Sequence, residues 1–343
     1  MSLPTKQQLA IGVIGTGGMG TRHAINLHRF VPGARVAAVY DLDGGRAAQA
    51  AAQSGGGVVF TDPLELIQDP SIEAVLIAAP DDIHARLTLA CLEAGKPVLC
   101  EKPLATVVPD ALAVVEAEVR IGSRLVSVGF MRRFDPEHVA VRTLGHSGAI
   151  GAPLLFKGVH RNASAAFGVT GATILINSAG HDIDSARWML GSEVAEVRVL
   201  GRRSRPDLHA DTRDLLVVEL GFASGALAVV EVYVNAAYGY EVSAELVCQS
   251  GAAMTQQPDR ALVRAAAHRG FPVPSDWLSR FQEAYVLELM DWVAAVREGR
   301  VFTGASAWDG LVTLLVTGAC IQSLEGGAVV PLSLPTRPTL YGA

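Results

Sequence analysis

The sequence predicts an α/β fold in two parts: a parallel sheet covered by helices, then an α+β domain with a large open, mostly antiparallel sheet. From residue 10 to about 128, short apolar runs alternate with amphipathic stretches, which is typical of β-α-β units. After Gly129, apolar runs follow one another with only turns between them. Because 343 residues exceed the size at which one hydrophobic core keeps growing, we expect two domains, 1–128 and 129–343.

The first domain is predicted to contain six strands separated by five helices. The strands are expected near residues 9–14, 35–40, 57–60, 74–78, 97–100 and 124–128. The helices are expected near residues 18–30, 44–54, 63–68, 81–94 and 108–121. Asp62-Pro63 and Asp81-Asp82 are typical helix starts, and Gly95 and Gly122 are typical helix stops. Such regular alternation predicts a parallel sheet.

The second domain is predicted to be richer in strands, with a helix near its start and two at its end. The strands are expected near residues 153–161, 194–201, 213–221, 225–234 and 241–248. The helices are expected near residues 178–190, 276–298 and 306–324. Because helices cover only one face of such an open sheet, we expect its other face to mediate assembly into a homo-oligomer, a dimer or a tetramer.

Composition and charge exclude several classes of partner. The formal net charge is −6 and no run of Lys or Arg occurs, which argues against nucleic acid or an anionic membrane and favours a small polar substrate. We find no secretory signal and no apolar run of bilayer length, so a cytoplasmic location is expected. The four cysteines are too widely spaced for a CxxC pattern, so we expect buried free thiols and no metal site.

The first predicted strand runs directly into a glycine-rich turn, Gly15-Thr-Gly17-Gly18-Met19-Gly20. In such a turn Gly15 permits a sharp bend, Gly17 leaves space for a pyrophosphate against the backbone, and Gly20 lets the next helix pack on the strand. The motif alone is weak in a chain with 35 glycines. Its context strengthens it, because the next strand ends in Asp41, where a Rossmann fold places the carboxylate that binds the adenosine ribose.

Asp41 also predicts which dinucleotide binds. A carboxylate at this strand end accepts hydrogen bonds from two ribose hydroxyls but repels a 2′-phosphate, so NAD is favoured over NADP. Arg46, five residues further on, leaves an alternative open. Its guanidinium would reach a phosphate, or it is a solvated helix residue.

Polar residues just after the strands of the first sheet are candidates for chemistry, because a nicotinamide lies across the carboxyl ends of such strands. Lys102 lies in Glu101-Lys102-Pro103, immediately after the fifth strand. Pro103 restricts Lys102 to an extended conformation that directs its amine away from the sheet edge. A solvated lysine is the alternative.

A second candidate group is Asn177-Ser-Ala-Gly-His181-Asp182-Ile-Asp184. If the helix there begins early enough, residues 177 and 181 share one face, and Asn177 would orient the His181 imidazole. Histidine is the natural proton acceptor near neutral pH. A structural or solvated histidine is the alternative.

Three further polar groups fall in the second domain. They are Arg132-Arg133, His160-Arg161-Asn162 and Tyr238-Gly-Tyr240. Each offers polar side chains on a loop or strand end, and for each a surface position is the alternative.

With these residues assembled, the chain resembles the Gfo/Idh/MocA family of sugar and polyol dehydrogenases, and within it the myo-inositol 2-dehydrogenase branch. The resemblance covers nearly the whole chain and depends on six motifs in order. They are the Gly15–Gly20 turn, Glu101-Lys102-Pro103, Gly129-Phe-Met-Arg-Arg-Phe-Asp135, His160-Arg161-Asn162, His181-Asp-Ile-Asp184 and Tyr238-Gly-Tyr240-Glu241. The glycine turn is shared by many folds, whereas the EKP triplet marks the family.

The resemblance implies oxidation of a secondary hydroxyl of a cyclic polyol or sugar by hydride transfer to NAD. In this reading the catalytic group is Lys102, His181 and Asn177. His181 is the general base, Lys102 positions the hydroxyl and Asn177 orients the imidazole. Implied substrate contacts are Arg132, His160, Asn162, Asn177, His181, Tyr240 and Tyr285. Implied cofactor contacts are the glycine turn with Met19, then Asp41, Pro80, His84, Glu101 and Lys102.

Position 177 departs from the family pattern, in which an aspartate usually lies four residues before the catalytic histidine. Asn177 can orient the ring but brings no charge, so the histidine should be a weaker base. Two other functions stay open at this point. One is an NAD-dependent glycosidase on the same fold with no net redox change, and the other is a non-catalytic NAD-sensing regulator.

Overall fold

A computed structural model describes residues 8–165, 169–256, 263–265 and 268–342. The chain divides into two units. The first contains the described residues up to Phe134, then Glu283–Leu314 and the described residues from Thr336 onward. The second contains the described residues of Asp135–Gln282 together with Leu315–Pro335.

The first unit begins with alternating strands and helices, as the sequence predicts. The strands are β1 (Leu9–Ile14), β2 (Ala34–Tyr40), β3 (Val58–Phe60), β4 (Ala74–Ile77), β5 (Val98–Glu101) and β6 (Val126–Gly129). The helices are α1 (Gly18–Phe30), α2 (Gly44–Gln53), α3 (Pro63–Gln68), α4 (His84–Glu93) and α5 (Val108–Ile121). All six residues of β1 are buried, as expected for a strand that is covered on both faces.

The remaining elements follow Phe134. The helices are α6 (Pro136–His146), α7 (Gly171–Ile174), α8 (Gly180–Leu190), α9 (Trp277–Glu298) and α10 (Ala307–Gly326). The longer strands are β7 (Pro153–Arg161), β8 (Val194–Arg202), β9 (Leu215–Phe222), β10 (Leu227–Tyr233) and β11 (Glu241–Cys248). The shorter ones are β12 (Gly251–Met254), β13 (Val263–Ala265), β14 (His268–Gly270), β15 (Ala305–Ser306) and β16 (Val330–Pro331).

The sheet of the first unit has the strand order β15-β6-β5-β4-β1-β2-β3. Apart from β15, which pairs antiparallel with β6, all neighbours are parallel, and the order 3-2-1-4-5-6 within it is that of a Rossmann fold. Ile14 pairs with Tyr40 on one side and with Ile77 on the other. Gly15 and Asp41, the next residues of their strands, therefore share the carboxyl edge of the sheet.

Most of helix α9 belongs to the first unit, which differs from the predicted division of the chain between residues 128 and 129. Its residues Leu289, Trp292 and Val293 belong to the same buried cluster as Ile11 and Val39 of the parallel sheet. The sequence-based boundaries placed all of 129–343 in the second domain, whereas Glu283–Leu314 and the described residues from Thr336 belong to the first unit. The difference arises because an apolar helix face shows that it is buried, not which sheet buries it.

The sheet of the second unit has the strand order β12-β11-β7-β10-β9-β8-β16. All neighbours are antiparallel except β7 and β10, so the predicted mostly antiparallel sheet is confirmed. Along β9 and β11 every second residue is buried. This alternation is typical of a sheet with one face in the core and the other face open.

Helix α6 and strands β12 to β16 were not predicted. The strands have two to four residues, which is too short for a periodic pattern to show. Helix α6 had a readable signal in Asp135-Pro136, since Asp135 accepts a hydrogen bond from the His138 backbone N–H and Pro136 begins the helix. Arg280 forms two hydrogen bonds with the buried Asp135 carboxylate. Although burial opposes ionisation, His138 and Arg280 lower the pKa of Asp135 to about 2.

Helix α10 meets a length and composition test for a membrane span, with a mean hydropathy of 1.3 over an 18-residue window. Buried residues make up 61% of that window. Core helices of globular proteins pass the same test, so the match is weak support for a membrane span.

Candidate active site

The glycine-rich turn joins β1 to α1 at the carboxyl edge of the first sheet. Gly15 has φ +87°, and a Cβ added to it would lie 2.4 Å from the Ala78 carbonyl oxygen. A Cβ on Gly20 would lie 1.8 Å from the Gly15 carbonyl oxygen. Both positions therefore require glycine. Gly15 needs it for its positive φ and for the close approach of the Ala78 backbone, and Gly20 needs it for the close approach of the Gly15 backbone.

Gly17 and Gly18 serve a different purpose, because no atom from the rest of the described chain lies within 4 Å of a Cβ built on either residue. The space above them is open. Gly17 caps α1, and no side chain in the part of the chain that the structure describes forms a capping hydrogen bond there. The first N–H groups of the helix therefore have no competing side-chain cap among these residues. A pyrophosphate needs such a bare backbone at a helix N-terminus, so these residues fit a dinucleotide.

Asp41 lies at the end of β2 and is held by four hydrogen bonds. Its Oδ2 accepts from the Thr16 backbone N–H at 2.8 Å and from the Thr16 hydroxyl at 3.0 Å. Its Oδ1 accepts from the Asp43 N–H at 2.8 Å and from Arg46 Nη2 at 2.7 Å. Partial burial opposes ionisation, but these donors lower the pKa of Asp41 to about 2. The carboxylate is thus charged and fixed beside the glycine turn.

We expect this charge to set the cofactor preference. A fixed carboxylate accepts hydrogen bonds from ribose hydroxyls and repels a 2′-phosphate, so kcat/KM with NAD should exceed that with NADP roughly tenfold or more, about 1.4 kcal/mol. Initial rates with both cofactors at saturating substrate concentration measure the ratio. Equal use of the two cofactors would contradict this role of Asp41.

A groove of about 490 Å³ lies beside this site. We call it the α1–α2 groove, because residues of these two helices line it. Its lining includes Gly17, Thr21 and Arg22 from one side and Arg46, Gln49 and Gln53 from the other.

Lys102 follows β5, and the preceding Glu101 fixes the backbone at that point. The buried Glu101 carboxylate lies 2.7 Å from His23 Nε2 through Oε1, and its Oε2 accepts from the Lys102 backbone N–H at 3.2 Å. Burial alone would raise the pKa of Glu101, but His23 and Lys102 lower it. The predicted substrate residue Tyr285 packs edge-on against the His23 ring, with 5.7 Å between centroids. Glu101, His23 and Tyr285 thus support the segment that carries Lys102.

Glu288, on α9, adds a second buried carboxyl group near Glu101. Neither of its carboxyl oxygens forms a hydrogen bond with another described residue. Burial, and secondarily the charge of Glu101, raise the pKa of Glu288 well above its usual value. Burial next to the charged Glu101 therefore favours the uncharged, protonated form of the Glu288 carboxyl group.

His84 begins α4 and joins two loops at the sheet edge. Its Nδ1 lies 2.7 Å from the Pro103 carbonyl oxygen and its Nε2 lies 2.9 Å from the Ala79 carbonyl oxygen. Because both partners only accept, both ring nitrogens must donate, and the ring must be positively charged. Burial opposes this charge, but Cys100 and the two carbonyls raise the pKa of His84 to about 10. His84 thus links two loops. One carries Ala79 and the exposed Pro80, and the other carries Lys102 and Pro103.

Replacing His84 with glutamine should destabilise the protein in a pH-dependent way. The ring titrates near 6.5 when unfolded and near 10 when folded, so its charge stabilises the fold fully below about pH 6.5 and progressively less up to about pH 10. We expect a loss of about 1.5–3 kcal/mol near pH 6, the usual value for a hydrogen bond to a charged group. Urea unfolding of both proteins across this range tests it, and a pH-independent difference would contradict the charged ring.

Arg132 and Arg133 lie in the 3₁₀ turn Met131–Phe134 of the first unit. Arg133 forms an ion pair with Asp309 at 3.0 Å, which gives it a structural partner. Arg132 is buried, with only 2% of its surface exposed. The surface alternative considered for this pair therefore does not hold for Arg132.

In the second unit, His160 and Asp182 form a buried pair. His160 is on β7 and Asp182 is in the first turn of α8, and their Nδ1 and Oδ2 atoms are 2.8 Å apart. Tyr240 packs edge-on against His160, with 5.9 Å between ring centroids. The carboxylate fixes the imidazole orientation and favours a proton on Nδ1. Asp182 belongs to the second candidate group, but the sequence analysis assigns it no role of its own.

The two residues that follow His160 have different surroundings: Arg161 is the last residue of β7, and Asn162 comes directly after the strand. Arg161 points to the open face, where it forms ion pairs with Glu231 and Glu241 and a hydrogen bond with Tyr238. Arg161 and Tyr238 therefore lie at the surface, which is the alternative that the sequence analysis left open for them. Asn162 is different, because its Oδ1 is buried and accepts no hydrogen bond from another described residue. It is an acceptor available to a ligand.

His181 is the second residue of α8 and is largely buried, at 9% exposure, whereas Asn177 is exposed. The helix begins earlier than predicted, with α7 at Gly171, but Leu175–Ala179 forms a π-helical turn between α7 and α8. The prediction that residues 177 and 181 share one face assumes α-helical spacing, in which residues four apart are neighbours. In a π turn the hydrogen bonds join residues five apart, so this spacing does not apply directly here. The orientation of His181 by Asn177 stays a prediction. Such π turns frequently mark functional sites.

Comparison with known proteins identifies the family. Residues 9–130 match a family model described as an oxidoreductase family with an NAD-binding Rossmann fold, and residues 138–254 match the Gfo/Idh/MocA C-terminal domain. Inositol 2-dehydrogenase from Rubrobacter xylanophilus is 48% identical over 335 residues, with 98% of this chain and 96% of the relative covered. Inositol 2-dehydrogenase 1 from Saccharopolyspora erythraea is 44% identical over 333 residues, with 97% and 98% covered.

Solved structures agree with this assignment. Myo-inositol dehydrogenase from Lactobacillus casei in complex with NAD(H) and myo-inositol has a TM-score of 0.93 at 30% identity and covers 98% of this chain. Its own chain is covered completely, at 100%. With both parts matched by family models and relatives similar over nearly its whole length, the chain belongs to the Gfo/Idh/MocA family of NAD-binding oxidoreductases.

Proposed function

We propose that this protein oxidises a secondary hydroxyl of an inositol-type cyclic polyol to the ketone, with NAD as the hydride acceptor. The observation that carries this proposal is the 48% identity, over 335 residues, to a protein named inositol 2-dehydrogenase. The bare glycine turn and the fixed Asp41 carboxylate support NAD as the cofactor. When bound, the nicotinamide supplies an acceptor for hydride.

In the proposed reaction, His181 accepts the proton of the substrate hydroxyl and Lys102 stabilises the negative charge that develops on the oxygen. Asn177 orients His181 by a hydrogen bond without adding charge. These roles rest on the match of Lys102 and His181 to the family motifs. The position of Lys102 directly after β5 and the burial of His181 at the start of α8 support these roles.

We propose that the polyol hydroxyls bind to Arg132, His160, Asn162, Asn177, His181, Tyr240 and Tyr285. In the second unit, the buried His160–Asp182 pair and the buried Asn162 Oδ1 favour a ligand rich in hydroxyl groups. A hydroxyl group can both donate and accept a hydrogen bond. A polyol can therefore donate to the Asn162 amide oxygen and also form a hydrogen bond with the His160 imidazole.

Assembly into a homo-oligomer through the open face of the second sheet is part of this proposal. On that face Leu227 pairs with Leu155, and Val229, which is 39% exposed, lies two residues further along β10. Exposed apolar side chains on a sheet face favour burial against another copy. All four cysteines are free and buried, which supports the proposed cytoplasmic location.

A spectrophotometric screen of inositol isomers, aldoses and their glycosides with NAD tests the proposed function. We expect net NADH formation with one or more inositols. Turnover of a glycoside without net NADH would instead indicate the NAD-dependent glycosidase. Binding of NAD with no turnover of any polyol would favour the regulator, and either result would overturn the dehydrogenase assignment.

A further inference from the structure

Arg46 forms its closest contact with the carboxylate that selects NAD. Its Nη2 lies 2.7 Å from Asp41 Oδ1, and its Nε lies 3.9 Å from Asp43 Oδ2. The Arg46 side chain is nevertheless 55% exposed, so most of its surface faces solvent and the α1–α2 groove. Breaking the contact with Asp41 would free a guanidinium beside the adenosine end of the cofactor site.

Arg22 lines the same groove from the opposite side. It lies on α1, two residues after Gly20, and is only partly exposed. Its guanidinium forms no hydrogen bond or ion pair with any residue that the structure describes. A partly buried cation without a carboxylate partner is uncommon, because desolvation of the charge is then uncompensated.

The chemistry of the groove favours a phosphate group. None of the described residues that line it is acidic, and besides the two arginines it offers the neutral amides of Gln49 and Gln53. Guanidinium groups match phosphate oxygens with paired hydrogen bonds. The groove includes Thr16, which contacts Asp41 directly, so it adjoins the place where a Rossmann fold holds the adenosine ribose.

We propose that the α1–α2 groove is a latent binding site for the 2′-phosphate of NADP, with Arg46 and Arg22 as its ligands. The Asp41–Arg46 ion pair keeps this site closed. Asp41 therefore selects NAD in two ways, because its charge repels the phosphate and its hydrogen bond withholds Arg46 from it. This inference concerns the cofactor end of the proposed dehydrogenase site and does not depend on the polyol.

The test compares dissociation constants of NADPH and NADH, measured by nucleotide fluorescence without any polyol. In Asp41→Asn the amide oxygen still accepts from Thr16, but the charge that holds Arg46 is removed. We expect this variant to bind NADPH roughly tenfold or more tightly than the wild type, and the gain to fall between about 50 and 500 mM NaCl as charge screening increases.

Three double variants show which residues cause the gain in NADPH affinity. Asp41→Asn with Arg46→Gln should lose it, and Asp41→Asn with Arg22→Gln should lose part of it. Asp41→Asn with Arg29→Gln is the matched control, because Arg29 is on the same helix, does not line the groove and changes the net charge equally. This control should keep the full gain.

The proposal is overturned if Asp41→Asn does not strengthen NADPH binding, or if the gain survives Arg46→Gln. Equal behaviour of the Arg22→Gln and Arg29→Gln variants would remove Arg22 from the site. A far-UV circular dichroism spectrum like that of the wild type shows that each variant is folded, and Asp41→Ser replaces Asp41→Asn if it is not. Failure of the polyol screen would leave these binding constants unaffected, so the two proposals fail separately.

Discussion

Replacing Lys102 with alanine is expected to lower kcat/KM for the best polyol roughly 10²–10⁴-fold while leaving NAD binding nearly intact. The side chain is proposed to act on the charge of the reacting oxygen, which develops in the transition state. The backbone at this position is fixed by other groups, since the Lys102 N–H donates to Glu101 and the neighbouring Pro103 carbonyl accepts from His84. Loss of the amine should therefore change the chemistry with little effect on the fold.

Steady-state kinetics and NADH binding measured on the same preparations test this expectation. Lys96→Ala is the matched control, because Lys96 precedes β5 at its other end and its amine donates to the Asp69 carbonyl at 2.6 Å. We expect that control to keep nearly normal turnover. Near wild-type turnover of Lys102→Ala would instead make Lys102 a solvated lysine.

Replacing His181 with alanine should lower kcat/KM at neutral pH by roughly 10²–10⁴-fold, the usual contribution of a general base. If His181 is the base, the rate rises with pH as its imidazole loses a proton, so the acid limb of the kcat/KM profile reports the pKa of His181. That limb should disappear in His181→Ala. A limb that survives this substitution would show that another group is the base.

Asn177→Asp extends the same experiment, because it introduces the charge that this chain lacks. A negative charge near the ring favours the protonated imidazole, so it raises the pKa of His181 and should move the acid limb to higher pH. Ser178→Asp adds the same charge one residue away and is the control, for which we expect a smaller shift. An unchanged limb in Asn177→Asp would show that residue 177 does not contact the ring.

The cofactor end of the site was the part most open to prediction from sequence. Gly15 and Gly20 are required by backbone conformation and close approach within one strand–turn–helix unit, and Asp41 follows from where the next strand ends. Short-range constraints of this kind leave a direct signature in the sequence. Arg46 was noted as close enough to reach a phosphate, but its ion pair with Asp41 was not foreseen.

Long-range partners could not be predicted in this way. His160 and Asp182 are 22 residues apart in the sequence, and Glu101 and His23 are 78 apart, yet each pair is in contact. Hydrophobic periodicity predicts that a helix or strand has a buried face, but it carries no information about which other element covers that face.

Residue patterns were enough to predict the alternating strands and helices of the first sheet, the glycine turn, the mostly antiparallel second sheet and the family motifs that contain Lys102 and His181. Tertiary structure alone decided that Leu289 and Trp292 of α9 pack in the first unit, and that the buried Glu288 carboxyl group lies close to Glu101. It also decided that a π turn precedes His181. The physical reason is that local backbone preferences are encoded in neighbouring residues, whereas burial, ion pairing and pKa depend on residues that only the folded chain brings together.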